Sequence, residues 1–84
     1  MNNDKKALYS KMDAYKKKCR EKGFCESGKI DKDAEMAGIL ALTKDSLKYF
    51  GSTEAAFDFL ISIIDESNNS QELIDKISEK IGLN

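Results

Sequence analysis

The side chains best suited to chemistry in this chain are two thiols, Cys19 and Cys25, and a scatter of carboxylates, in a sequence that contains no histidine. Two thiols without histidine cannot complete a four-ligand structural zinc site within one chain. A turn at Gly23 would let the pair close a local disulfide, but a reducing cytoplasm keeps such thiols free, and free thiols are the expectation. Lys18, Arg20 and Lys22 lie near Cys19 in sequence, and cations lower a thiol's pKa. The competing reading makes Cys19 a small, inward-facing hydrophobe.

The lack of histidine removes the commonest general base and the commonest metal ligand together. Gly28-Lys29 lacks both the earlier glycine and the following Ser or Thr of a phosphate-binding loop. Adjacent acids such as Asp65 and Glu66 diverge on a helix, and acids at scattered helical positions are ordinarily solvated. Residues 28–35 place acids around a glycine, but not at the spacing of a calcium loop. The expectation is a non-enzymatic chain with no cofactor and no metal.

The elements that must position any site are helices. With 84 residues the chain is one domain, and a chain this short buries only about 60% of its unfolded surface. Proline is absent, so nothing forbids long helices. Leu8, Met12, Tyr15 and Cys19 fall on one stripe of a first helix over about residues 3–22, which Gly23 stops. Residues 24–30 read as a loop. Asp31 or Asp33 can cap the next helix. Residues 36–42 are nearly all apolar or small, which predicts a segment buried on most sides at the centre of the fold. Gly38 within it costs up to about 1 kcal/mol relative to Ala and suits a close helix approach.

Thr43 is a further cap, with Leu47 and Phe50 three apart beyond it and a stop at Gly51. Ser52 or Thr53 opens the next helix, on which Ala56, Phe57, Leu60, Ile61 and Ile64 form one stripe. Ser70 caps a last helix carrying Leu73, Ile74, Ile77 and Ile81, ended by Gly82. The expected fold is all-α, a compact bundle of four or five short helices in a single domain over residues 1–84.

Charge is uneven along the chain. Residues 1–32 carry ten Lys/Arg and five Asp/Glu, a balance of +5, while residues 33–84 carry four and ten, a balance of −6; together they make the net −1. Lys16, Lys17, Lys18, Arg20 and Lys22 offer a basic docking face, and Asp58, Asp65, Glu66, Glu72, Asp75 and Glu79 an acidic one. The plainer alternative, favoured here, is that folding interleaves the two sets. Residues 1–10 contain no signal-type apolar stretch, and no apolar run approaches the ~20 residues that span a bilayer. A cytoplasmic location without a membrane partner is the expectation.

Residues 35–50, from Glu35 and Met36 through Ala37, Ala41 and Thr43 to Tyr49 and Phe50, resemble the helix-turn-helix motif of DNA-binding proteins. The resemblance implies Ala37 at the helix crossing and Met36, Leu40, Leu42, Leu47 and Phe50 in a shared core. It implies Thr43, Lys44, Lys48 and Tyr49 facing outward, with Asp45, toward duplex DNA, where lysines contact phosphates or guanine edges. The turn position of the motif usually holds Gly at positive φ; here it is Ala41, at a cost of about 1–2 kcal/mol. A continuous helix over residues 33–50, or a turn between two core helices, remains the alternative.

Size, charge polarity and the missing catalytic groups favour a protein-binding module: an inhibitor, adaptor or immunity-type factor, of the sort that mobile elements encode. A helix-turn-helix DNA-binding regulator acting as a homodimer is the alternative reading, followed by a self-assembling structural protein.

Overall fold

The computed structural model describes residues 2–83, with side chains from residue 5 onward. Five helices and one minimal hairpin make up the described chain: α1 (Asn2–Lys22), β1 (Cys25–Glu26), β2 (Lys29–Ile30), α2 (Lys32–Ala41), α3 (Lys44–Phe50), α4 (Thr53–Ile64) and α5 (Ser70–Ile81). The fold is all-α, as the hydrophobic spacing predicts.

Local chemistry sets most boundaries. At the end of α1 the Gly23 N–H bonds to the Arg20 carbonyl and the Phe24 N–H to the Cys19 carbonyl. This double closure requires a left-handed residue between helix and exit, and Gly23 takes φ +92° at no side-chain cost. Leu83 and Gly82 close α5 with the same pair of bonds. Asp31, Thr43 and Ser52 cap α2, α3 and α4, each accepting from an N–H three residues on.

Two local expectations are corrected. Residues 24–30 are not plain loop: Cys25 pairs with Ile30 and Glu26 with Lys29, across Ser27 and Gly28, both at positive φ, as a two-residue hairpin turn demands. Strands of two residues are too short to show an alternating pattern. The cap of α5 is Asn69, not Ser70. Ser70 instead donates its hydroxyl to Asp31 Oδ2 at 2.9 Å, tying the start of α5 to the start of α2.

The core joins Tyr15 and Cys19 of α1, Phe24, the alanines of α2, and Ala56, Phe57, Leu60, Ile63 and Ile64 of α4 to Leu73 and Ile77 of α5. Helix α1 lies on α4, and α2 lies on α5. The stripes expected on α1, α4 and α5 are thus the ones buried, with Leu8, Met12, Ile61, Ile74 and Ile81 half-buried at their margins.

Helix α2 differs from expectation. Its buried face is Ala34, Ala37 and Ala41, while Met36, Ile39 and Leu42 are 47%, 49% and 45% exposed. The principal extents, 34 × 31 × 18 Å, describe a slab about two helix diameters thick. A helix in such a slab is covered on one side only, and α2 turns its small residues inward, so that its large ones face out.

Candidate functional site

The exposed side of α2 borders a surface groove of about 520 Å³. Met12, Tyr15, Lys16 and Arg20 of α1 form one wall, and Glu35, Gly38, Ile39 and Leu42 of α2 the other. Gly28, Lys29 and Ile30 of the hairpin and Phe57 of α4 complete the lining. The Tyr15 and Phe57 rings meet edge to face, centroids 5.7 Å apart, and the Tyr15 hydroxyl is anchored on the Ala34 carbonyl. The groove is therefore a rigid aromatic floor between two helices, with cations at its margin.

The cysteines do not join it. Both are free, Cys19 buried and Cys25 exposed. Burial pushes the Cys19 thiol up to about 11, so the inward-facing reading holds over the activated one: lost hydration of a thiolate outweighs the nearby cations. Among the described residues, no three His, Cys, Asp or Glu side chains are grouped to hold a metal ion.

The two charged sets are partly spent on each other. Lys11 pairs with Asp58 at 2.7 Å and Lys18 with Asp65 at 3.0 Å, while Lys22 Nζ donates to the Asp65 carbonyl oxygen at 3.3 Å. These lysines lie seven and four apart, on one stripe of α1 that faces α4. Lys16 and Arg20, four apart, lie on a different stripe and border the groove. Lys17 is exposed and points along a third direction by helical spacing. The basic cluster is thus divided among three directions by the 100° helical step. Among the acids, Glu72 pairs weakly with Lys76 at 3.9 Å, Asp75 accepts from Gln71, and Glu66 and Glu79 are exposed.

The segment resembling a helix-turn-helix does fold as two helices joined by a tight turn. Ala41, placed by the resemblance in the turn, is the buried last residue of α2; Leu42 and Thr43 make the connection, neither at positive φ. Met36, Leu42 and Leu47, expected in a shared core, are about half exposed, while Leu40 and Phe50 are half-buried. Helix α3 rests chiefly on α4, through Phe50 against Phe59, so a core between α2 and α3 is not what holds it. Lys44, Asp45, Lys48 and Tyr49 are exposed. Thr43 is half-buried, and its hydroxyl both donates to the Leu40 carbonyl and accepts from the Ser46 N–H.

Compared with protein-family models, curated proteins and solved structures, the chain has no significant match. Sequence reasoning missed the groove. The available signal was the second stripe of α2: Met36, Ile39 and Leu42 recur at a spacing of three, off the line of Ala34, Ala37 and Ala41. One helix with two apolar faces has more than a core requires.

Proposed function

We propose that this chain is a non-enzymatic protein-binding module that docks a partner on the exposed side of α2. The observation that carries the reading is the run Met36, Ile39 and Leu42, exposed beside an apolar groove. Single exposed hydrophobes are ordinary, but several on one helix face beside a concave surface mark an interaction site. The cations and Glu35 around the groove form the polar rim such interfaces use. Inhibitor, adaptor and immunity-type roles all fit this reading. No helix among the described residues is long and apolar enough to cross a membrane.

The test is photo-crosslinking in cells, with the reactive group placed at Met36 or Ile39 and, as control, at Asp75 or Glu79 of α5. A specific adduct from the α2 positions alone supports the reading. Adducts from α5 alone move the interface to the acidic face.

The tight turn between α2 and α3, with Lys44 and Lys48 exposed beyond it, favours duplex DNA as the second reading. Binding to labelled duplex that weakens steeply with salt and is lost in Lys44→Glu supports it; no binding at low salt removes it.

A further inference from the structure

We propose that the groove between α1 and α2 receives an acidic amphipathic helix of a partner protein. Its apolar side chains enter over Tyr15 and Phe57, and its carboxylates meet Lys16, Arg20 and Lys29. This inference rests on the docking reading above and names the chemistry of the partner.

The two sides of α1 are not electrically alike. The side facing α4 carries lysines already matched by Asp58 and by the carboxylate and carbonyl of Asp65. On the groove side stand Lys16 and Arg20, joined by Lys29 from the hairpin, and among the described residues none of the three takes an ion pair. Glu35 is the one carboxylate of the lining. A molecule whose net charge is −1 thus sets three cations against one carboxylate around its apolar groove. An acidic ligand is steered to such a surface.

Gly38 supplies an independent observation. It sits mid-helix with ordinary helical φ, where glycine is less stable than Ala. A Cβ there would lie 3.5 Å from Tyr15 Cε2 and 3.7 Å from Phe57 Cε1, which is comfortable contact. Packing within the chain therefore does not require the glycine. Tyr15 and Phe57 are only 1% and 2% exposed, so the bare backbone at Gly38 does not uncover them; it leaves a shallow place in the groove wall above them that a methyl would fill.

A helix fits better than a strand. The groove runs between two helices, a shape that accepts the ridge of a third, and amphipathic helices present anchors at the matching three- and four-residue spacing. A second copy does not supply such a helix: α4, the most acidic by net charge, and α5 both have their apolar faces, Phe57 with Leu60 and Leu73 with Ile77, in the core.

The probe is a synthetic helical peptide of about four turns, with leucines on one face flanked by glutamates. Its counterpart carries lysines in place of the glutamates. Each is titrated into the isotope-labelled full chain and followed by amide shifts and fluorescence anisotropy. The acidic peptide is expected to bind about tenfold tighter, or more, and to shift Ile30, Gly38 and Ile39. Lys16→Glu with Arg20→Glu should weaken it about tenfold at unchanged thermal midpoint. Gly38→Ala should raise the midpoint yet weaken binding, a split that a purely structural glycine would not produce. Equal binding of both peptides at the groove overturns the acidic partner and leaves the docking groove standing. Shifts confined to α3 or α5, or none with either peptide, overturn both.

Discussion

The Tyr15 hydroxyl donates a buried 2.6 Å hydrogen bond to the Ala34 carbonyl oxygen, nineteen residues away. It joins the middle of α1 to the first turn of α2 and holds one ring of the groove floor in place. A buried phenol must find a partner, because leaving it unpaired costs more than the bond itself contributes.

Tyr15→Phe keeps the ring and removes the bond. Stability should fall by about 1 kcal/mol, seen as a lower urea midpoint with the helical circular dichroism intact. An unchanged midpoint would mean that the bond orients the ring without stabilising the fold.

Burial holds the Cys19 thiol protonated up to about 11, against an ordinary 9.0, and raises Tyr15 above its ordinary value. The unfolded chain loses these protons first, so above pH 9 the folded chain binds more protons and stability declines as pH rises. The thiol's share is lost between about 9 and 11. Urea midpoints measured across that range should fall less steeply in Cys19→Ala than in the parent. Identical slopes would assign the decline to other groups.

Ser46 is fully buried, and its Oγ has no hydrogen-bond partner. Ser46→Ala removes that unsatisfied hydroxyl and substitutes the best helix former. The thermal midpoint should rise, with a gain of about 1 kcal/mol. A lower midpoint would show that the hydroxyl finds a partner in solution.

Leu60 is fully buried at the centre of α4. Leu60→Ala should cost about 2–5 kcal/mol by cavity formation, measured by urea unfolding. A loss of a few tenths would mean that α4 repacks around the gap.

Which stripes are buried was readable where a helix has one apolar face. Tyr15 with Cys19, Phe57 with Leu60 and Ile64, and Leu73 with Ile77 could be assigned from spacing because each helix had a single way to face inward. Caps at Asp31 and Thr43 and the stop at Gly23 were readable for a different reason: a helix end needs hydrogen-bond partners that only a few local residues supply. The groove was hidden because α2 is apolar on two faces, and composition does not say which one meets the core. The short hairpin was hidden because two-residue strands carry no period.

The sequence by itself determined the helical class, the ends of α1, α4 and α5 to within a residue or two, and the separation of charge between the two parts of the chain. These follow from interactions within a few residues of each other. The sequence left open whether residues 33–50 are one helix or two. Only the tertiary structure decided that the alanines of α2 point inward and Met36, Ile39 and Leu42 outward. It alone turned Lys11, Lys18 and Lys22 toward α4 and left Lys16 and Arg20 beside the groove. Both outcomes depend on the angle at which helices distant in sequence meet, because close packing rewards the arrangement that fills the shared core, whichever side chains it leaves outside.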